Sequence, residues 1–494
     1  MTPADAIAPR LRSALAWLAA IVALTAAWRF HAIGVRSLWI DEASSVALAQ
    51  MPRRAFWHAL WAYEANGSAY FVLLSWWVRL GDSEIVVRSL SALLGVATIP
   101  AVYLLGVRLF DRQTALVASA LLGVHLGAHW HSQEARGFAL VVLILTLATD
   151  AFARIAQGTN RPRDRVAYVL WSALAVYGHL YAVLVITSHW LSLDRAQWRR
   201  LGLSTVAPIA AALCVSLWPA AWYTAFHNRG QLRWIAPTTA GEVLGAIALM
   251  VGGNLALLCA LCAGLVLAVR AGTSAGARDA WALRLLALCV TGPLVAAWVL
   301  SMARPIFFFK YFIVTVPFVV LLAATALSPA GGAGAFGRLR LVALTAVLGT
   351  AVALGVAYEH HLTTYGDDWR SATAYVLSRA APGDAIVFHI SAGKNTYAYY
   401  RDHNGGAAAS SPRPDVVFPA SDDLASADIV PTRDRLERAT VARRRVWLVL
   451  HHAVTPADEG VRAILSRGFQ RVGERTFAGI HPMLSITVVL FESP

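Results

Sequence analysis

The sequence predicts a polytopic, all-helical membrane domain followed by a small soluble α/β domain. The 494 residues are 58% hydrophobic and only 14% charged, whereas a soluble domain carries roughly 25% charged residues. Apolar runs of about 20 residues recur up to residue 358, and each is long enough to cross a ~30 Å hydrocarbon layer. Beyond that point the chain becomes polar, with short alternating runs that are typical of strands. This composition excludes a soluble enzyme, a disordered chain and a fibrous repeat.

The net charge of +14 would suggest a nucleic-acid partner in a soluble protein. Its distribution argues against such a partner. Residues 359–494 hold 15 basic and 15 acidic side chains, so the whole excess lies in the apolar residues 1–358. Basic residues beside apolar spans stay on the cytoplasmic side and so orient a membrane protein. We therefore expect membrane lipids, and no nucleic acid, as partners.

The apolar runs predict about eleven transmembrane helices. The first covers residues 14–28 behind Arg10 and Arg12, which places the N-terminus in the cytoplasm. The stretch 166–193 has basic clusters at both ends, so we predict two short helices that turn at Gly178-His179. The other predicted spans cover residues 86–107, 114–130, 137–153, 203–222, 254–269, 283–302, 310–327 and 341–358.

The chain is expected to divide into a membrane domain at residues 1–358 and an extracytoplasmic α/β domain at residues 359–494. The membrane domain has a long first outer loop at residues 31–84. Within it, the apolar stretch 68–80 is predicted to lie along the membrane surface, because a crossing there would move the following basic cluster outside. The predicted elements of the second domain are a helix at 369–379 and strands at 385–389, 446–451 and 485–491.

An acidic pair, Asp41-Glu42, follows the first span directly. A carboxylate at the interface, partly desolvated by Trp39 and Ile40, can act as a general base on a hydroxyl. The alternative is structural, with Asp41 capping a helix that begins at Ala43 and Glu42 in its first turn. Both interpretations can hold at once, with one residue capping and the other catalysing.

A further polar cluster lies on the predicted outer side. His125, His129, His131, Glu134 and Arg136 stand where the third span ends. A metal site at the four-residue spacing of His125 and His129, helix capping and substrate binding all remain open for this cluster.

The other polar residues on this side belong to two separate stretches, the turn at His179 and Tyr181 and the segment that runs from Arg304 to Lys310 and Tyr311. Lys310 at the head of an apolar span is either a snorkelling anchor or a phosphate ligand. His179 is either hydrogen-bonded locally or functional.

These motifs together resemble the GT-C membrane glycosyltransferases, in particular the family 39-like branch with the protein O-mannosyltransferases and the lipid A aminoarabinose transferases. Order and spacing agree over roughly residues 10–360. The stretches that carry the resemblance are Trp39-Ile40-Asp41-Glu42-Ala43, Arg88-Ser89-Leu90-Ser91-Ala92-Leu93, Ser132-Gln133-Glu134-Ala135-Arg136, Tyr177-Gly178-His179-Leu180-Tyr181 and Arg304-Pro305 with Lys310-Tyr311.

The resemblance implies an inverting transfer of a sugar from a polyprenyl-phosphate donor to an acceptor hydroxyl at the outer face of a bacterial-type plasma membrane. Asp41 would be the general base, with Glu42 supporting it or sharing the role. Cations would meet the charge that develops on the leaving phosphate, and the remaining polar residues would line the sugar or acceptor pocket. The implied cations are Lys310, Arg304 and Arg136, and the implied pocket residues are Trp39, His131, Glu134, His179, Tyr181 and Tyr311.

The acceptor could be a glycan, a lipid or a protein. We expect no required cofactor and no protein-bound metal site, although a divalent cation near Asp41 stays open. Two other functions remain: a transporter or flippase of a lipid-linked sugar, and a non-catalytic membrane protein that binds envelope glycans. A transporter would bury ionisable residues at the middle of the membrane, whereas the acids here cluster at the predicted outer interface.

Overall fold

A computed structural model describes residues 3–62, 66–159, 161–226, 235–274, 277–328, 335–365, 367–403, 412–419, 433–451, 456–479 and 485–494. The chain forms two units. The membrane unit comprises residues 1–31, 60–73 and 88–356, and the loop–tail unit comprises residues 32–59, 74–87 and 357–494. The loop–tail unit thus groups two segments of the first loop with the tail, and the predicted domain division at residue 358 stays a prediction.

The described residues are mostly helical. The helices are α1 (Pro3–Phe30), α2 (Ile40–Ala49), α3 (Arg53–Ala62), α4 (Ser68–Trp77), α5 (Glu84–Leu109), α6 (Arg112–Gly123), α7 (Leu126–Ser132), α8 (Phe138–Ala156), α9 (Pro162–Gly178), α10 (Ala182–Leu191), α11 (Arg195–Phe226), α12 (Ala240–Met250), α13 (Leu255–Ser274), α14 (Ala277–Ser301), α15 (Val316–Leu327), α16 (Ala335–Tyr365), α17 (Trp369–Leu377), α18 (Gly393–His403), α19 (Arg433–Thr440) and α20 (Pro456–Leu465), with 3₁₀ turns at Val78–Leu80 and Phe309–Thr315.

Local sequence explains where the membrane helices begin and end. Asp111 caps α6, because its Oδ1 accepts the backbone N–H groups of Gln113 at 2.8 Å and of Thr114 at 2.9 Å. Pro162 opens α9, where its missing N–H is harmless. Gly202 has a φ of +64° inside α11 and kinks that helix just before the predicted span at 203–222.

Helices lie at all eleven predicted span positions. Among the described residues, seven helices are long and apolar enough to cross a membrane alone, and α12 with α13 adds one more if this pair, bent by 89°, counts as one span. The helices α6, α9 and α10 have 12, 17 and 10 residues and fall short of the ~20 that a span needs. The chain is a multi-pass membrane protein, and the count of about eleven spans stays a prediction.

One predicted detail of the membrane unit agrees with the structure. The stretch 166–193 forms two helices, α9 and α10, that break at His179, whose backbone is extended. The stretch 68–80 contains α4, which has 10 residues and belongs partly to each unit, and its position along the membrane surface stays a prediction.

The loop–tail unit contains a five-stranded mixed sheet with the order β2-β1-β3-β5-β4. β1 is parallel to β2 and β3, whereas β5 is antiparallel to β3 and β4. The strands are β1 (Ala385–His389), β2 (Asp415–Phe418), β3 (Arg445–His451), β4 (Gln470–Phe477) and β5 (Ile486–Glu492).

The centre of this sheet is apolar on both faces. Val387, Leu448 and Val489 are buried in one core cluster with Leu436 of α19 and Val461 of α20. The predicted helix and all three predicted strands are present, so the expectation of a polytopic helical domain with a small α/β domain is confirmed.

Candidate active site

The predicted site residues fall into both units. Trp39, Asp41 and Glu42 belong to the loop–tail unit, and the other candidates, from His131 to Tyr311, belong to the membrane unit.

The acidic pair lies in the first turn of α2. This helix begins at Ile40, with Trp39 in the N-cap position, so the expectation that Asp41 caps a helix starting at Ala43 is wrong. Glu42 Oε2 accepts the backbone N–H of Trp39 at 3.3 Å, and Glu42 is only 1% exposed. Asp41 is half-buried. Glu42 therefore stabilises the helix start, and Asp41 is left as the more accessible carboxylate.

Two helices of the tail hold the segment that leads into α2. Tyr400 of α18 is central, because its hydroxyl accepts the backbone N–H of Leu38 at 2.6 Å and donates to Glu84 Oε1 at 3.1 Å. Arg370 of α17 also pairs with Glu84, at 2.7 Å. Sequence reasoning missed Tyr400, because its partner is 362 residues away in the chain.

A second contact fixes α2 itself. Asn395 Nδ2 in the first turn of α18 donates to Ser44 Oγ at 3.0 Å. Ser44 lies three residues after Asp41, one helical turn along α2. The tail therefore holds both the entry to α2 and its first turns.

Asp82 and His403 form an ion pair in the same unit. His403 Nε2 lies 3.0 Å from Asp82 Oδ1, and its Nδ1 donates to the backbone carbonyl of Tyr399 at 2.8 Å. The hydrogen bond from His403 lowers the pKa of Asp82. Burial favours the neutral form of His403, but its hydrogen bonds to Asp82 and Tyr399 outweigh burial and raise the pKa of the imidazole.

In the membrane unit, α7 leads into a polar cluster around Glu134. His131 Nδ1 lies 3.2 Å from Glu134 Oε2, and Trp130 Nε1 donates to Glu134 Oε1 at 2.7 Å. The rings of Trp130 and His131 stack with their centroids 5.2 Å apart. Lys310 Nζ lies 4.8 Å from the centroid of the Trp130 ring, which is a cation–π distance.

Aromatic contacts join this cluster to the turn between α9 and α10. Phe138 lies between the imidazoles, with its ring centroid 4.5 Å from that of His131 and 5.8 Å from that of His179. Tyr311 packs 4.4 Å from His179 and 5.1 Å from Tyr181. Six predicted residues therefore form one continuous group: His131, Glu134, His179, Tyr181, Lys310 and Tyr311.

The remaining cations are placed differently. Arg136 is half-buried, its backbone N–H donates to Glu134 O at 2.8 Å, and its carbonyl accepts Ser91 Oγ at 3.3 Å. Arg304 is exposed and follows the end of α14. Lys310 has a defined side-chain contact in the cluster, the ring of Trp130.

Both imidazoles of the cluster have one ring nitrogen that is buried. Within the described part of the chain, neither His131 Nε2 nor His179 Nε2 has a hydrogen-bond partner. Buried polar atoms are paired in the great majority of native structures, and the exceptions need an explanation. Two such nitrogens beside a lysine and two tyrosines can hydrogen-bond hydroxyl or phosphate oxygens.

Arg29 at the end of α1 is a residue that sequence reasoning missed. It is 1% exposed, and its Nη2 donates to Leu122 O at 3.4 Å. Over the described ranges no carboxylate pairs with it. With His131 and Ser132 it lines a cavity of about 10 Å³, roughly the room of one water molecule. Arg29 directly follows the first predicted span, and a basic residue at the edge of an apolar span was the available signal.

The histidine pair one turn earlier has structural partners. His125 is the N-cap of α7, because its Nδ1 accepts the backbone N–H of Ala128 at 3.2 Å, and its Nε2 lies 3.1 Å from Met250 O. His129 Nε2 accepts the indole N–H of Trp28 at 3.2 Å. The bond from Ala128 to His125 agrees with the capping interpretation, and the bond of His129 joins α7 to α1. In the residues that the structure covers, no group of three or more His, Cys, Asp or Glu side chains could hold a metal ion.

Solved structures provide the clearest comparison. ArnT from Cupriavidus metallidurans in the apo state matches with a TM-score of 0.63 and 16% identity, over 97% of this chain and 98% of that one. The same protein bound to undecaprenyl phosphate matches with a TM-score of 0.60 and 12% identity, over 96% of this chain and 98% of that one.

A second neighbour is the archaeal oligosaccharyltransferase AglB from Archaeoglobus fulgidus, in complex with an inhibitory peptide and a dolichol-phosphate. It matches with a TM-score of 0.54 and 13% identity, over 90% of this chain and 70% of that one. No protein-family model and no curated protein sequence matches the chain. At these identities the structural matches establish a shared fold.

Proposed function

Starting from the GT-C fold that these neighbours share with it, we propose that the chain is a membrane glycosyltransferase with a polyprenyl-phosphate-linked sugar as donor. The observation that carries the proposal is that the fold match covers 97% of this chain and 98% of ArnT. A fold alone hosts several functions, so the chemistry is argued from the two groups of site residues.

Asp41 is the proposed general base. Glu42 is buried and engaged with the N–H of Trp39, whereas Asp41 is half-buried. Asp41 takes the proton of the acceptor hydroxyl while that oxygen forms a bond to the anomeric carbon. The bond between this carbon and the phosphate oxygen breaks, the phosphate leaves with the electron pair, and the configuration inverts. Glu42 supports this role by holding the start of α2.

The membrane cluster is the proposed donor-binding region. Lys310 supplies a positive charge for the leaving phosphate, held by the face of Trp130. His131 and His179 offer buried ring nitrogens, and Tyr181 and Tyr311 contribute aromatic faces that suit a sugar ring. Glu134, Arg136 and Arg304 complete the proposed donor set, and Trp39 stays a proposed substrate-binding residue of the loop–tail unit. A lipid-bound donor requires such a site in the membrane because its apolar tail stays in the bilayer.

The proposal places the reaction on the outer face of a bacterial-type plasma membrane, with the N-terminus in the cytoplasm and the tail outside, as the distribution of basic residues predicts. The acceptor is a hydroxyl of a glycan, a lipid or a protein. Lys310 and the imidazoles can stabilise the leaving group without a metal ion, so activity is expected to survive EDTA. Loss that Mg²⁺ or Mn²⁺ reverses would indicate a divalent cation near Asp41.

The experiment that tests the function uses the purified protein in vesicles with synthetic polyprenyl-phosphate sugars. We expect release of polyprenyl phosphate with at least one sugar, and none when the lipid carries no sugar. Movement of the intact donor between leaflets without release would contradict the proposal and favour a flippase. Donor binding with neither release nor movement would favour a binding protein.

A further inference from the structure

A basic groove lies at the ends of α5, α8 and α9 that are remote from His179. It has a volume of about 550 Å³ and is lined by Arg108, Arg154, Thr159, Arg161, Arg163, Asp164 and Ala167. Arg163 precedes His179 by sixteen residues along α9, which corresponds to ~24 Å at 1.5 Å per residue. The groove is therefore separate from the candidate donor site.

Two of the four arginines are engaged with buried acids. Arg108 Nε lies 2.5 Å from Asp150 Oδ1, and Arg154 Nη1 lies 3.0 Å from Asp150 Oδ2. Arg154 Nε also lies 3.0 Å from Asp164 Oδ1. This network ties α5, α8 and α9 together, and its two acids offset the charges of Arg108 and Arg154.

The other two arginines leave the groove with a net positive charge. Arg161 and Arg163 are exposed, and among the described residues neither side chain forms an ion pair with an acid. Guanidinium groups bind phosphate oxygens in a bidentate way. The ligand that fits this charge is an anionic phosphate group.

The surface beside the arginines is apolar. Val166 and Leu170 of α9 are 66% and 50% exposed, and they follow Arg163 by three and seven residues, on the same face of the helix. Ala167, which lines the groove, lies on this face too. If Arg161 and Arg163 hold the phosphate of a lipid, its acyl chain can lie along Val166 and Leu170. A free phosphate ion would make no use of this apolar surface.

We propose that this groove binds the headgroup of one anionic phospholipid, with an acyl chain along α9. Basic pockets between membrane helices are suited to such headgroups. The site is independent of the proposed transferase activity, because it lies at the opposite end of α9 from the donor cluster.

The test compares two double variants that lose the same charge. R161Q/R163Q removes the groove arginines, and R195Q/R199Q removes two exposed arginines outside its lining. Full-length protein is titrated with tetraoleoyl cardiolipin, with dioleoyl phosphatidylcholine and with inorganic phosphate. Native mass spectrometry gives lipid affinity, and the midpoint of thermal unfolding without lipid checks the fold of each variant.

We expect wild type and R195Q/R199Q to bind cardiolipin at least about tenfold more tightly than phosphatidylcholine, and R161Q/R163Q to lose that preference. Unchanged cardiolipin binding by R161Q/R163Q would overturn the site. Equal loss in both double variants would show nonspecific attraction and would also overturn it. Displacement of cardiolipin by millimolar inorganic phosphate would show a site for a free anion instead of a lipid. If R161Q/R163Q unfolds early, R163Q alone replaces it.

Discussion

Tyr400 offers a test of whether the tail positions the proposed general base. Tyr400→Phe removes one hydroxyl that accepts the N–H of Leu38 and donates to Glu84. Leu38 is 0% exposed, so water cannot reach the N–H that is left. An unsatisfied buried donor costs about 1–3 kcal/mol. If 1.4 kcal/mol of this cost is added to the activation free energy of sugar transfer, the reaction slows about tenfold.

We therefore expect Tyr400→Phe to lower kcat for polyprenyl-phosphate release about tenfold with little change in the KM for the donor, because the donor cluster lies in the other unit. Thermal unfolding should begin at a lower temperature. Tyr399→Phe is the matched control, since the Tyr399 hydroxyl donates to Asp82 O, away from α2. An unchanged kcat in Tyr400→Phe, or an equal loss in Tyr399→Phe, would refute the positioning role.

Three further predictions address other parts of the account. Lys310→Ala should weaken binding of a polyprenyl-phosphate analogue, with Lys310→Arg restoring part of it; unchanged affinity in the alanine variant would exclude the phosphate role. Because folding raises the pKa of His403, protonated His403 stabilises the fold. This stabilisation is complete below about pH 6.5 and is lost as the pH rises through the folded-state pKa. Folding lowers the pKa of Asp82, so ionised Asp82 stabilises the fold above about pH 3.9, and this stabilisation is lost only in acid. Raising the pH from 6 to 8.5 should therefore lower the unfolding temperature of wild type more than that of His403→Gln, and equal decreases would argue against this pair. In a cysteine-free background, Ser378→Cys should react with an impermeant reagent from outside intact cells and Gln113→Cys should not; the reverse pattern would overturn the predicted orientation.

The sequence predicted one helix and three of the five strands of the tail. Strands β1 and β3 were expected as alternating runs, but the structure buries them almost continuously because both faces of the central sheet are covered. β4 was not predicted because it is an edge strand with almost every residue exposed, so no alternation marks it. α12 was missed as well, since its 11 residues are too short for a span.

The sequence predicted only those residues of the candidate active site that stand out from their neighbours along the chain. Asp41, His131, His179 and Lys310 were found because charged or polar residues at the ends of apolar spans are conspicuous. The N-cap at Trp39 was not, because tryptophan has no acceptor to favour that position. Tyr400 acts through contacts that no local pattern encodes.

In the proposed mechanism Asp41 is the general base and Glu42 is a structural support. The most direct measurement is the rate of sugar transfer, read as polyprenyl-phosphate release, by Asp41→Asn and Glu42→Gln beside wild type. A general base contributes typically 10²–10⁴-fold, so Asp41→Asn should lose at least about 100-fold while its expression and unfolding temperature stay unchanged. Glu42→Gln keeps an oxygen for the N–H of Trp39 and should lose less than about tenfold. Near-normal transfer by Asp41→Asn, or a larger loss in Glu42→Gln than in Asp41→Asn, would contradict the assignment.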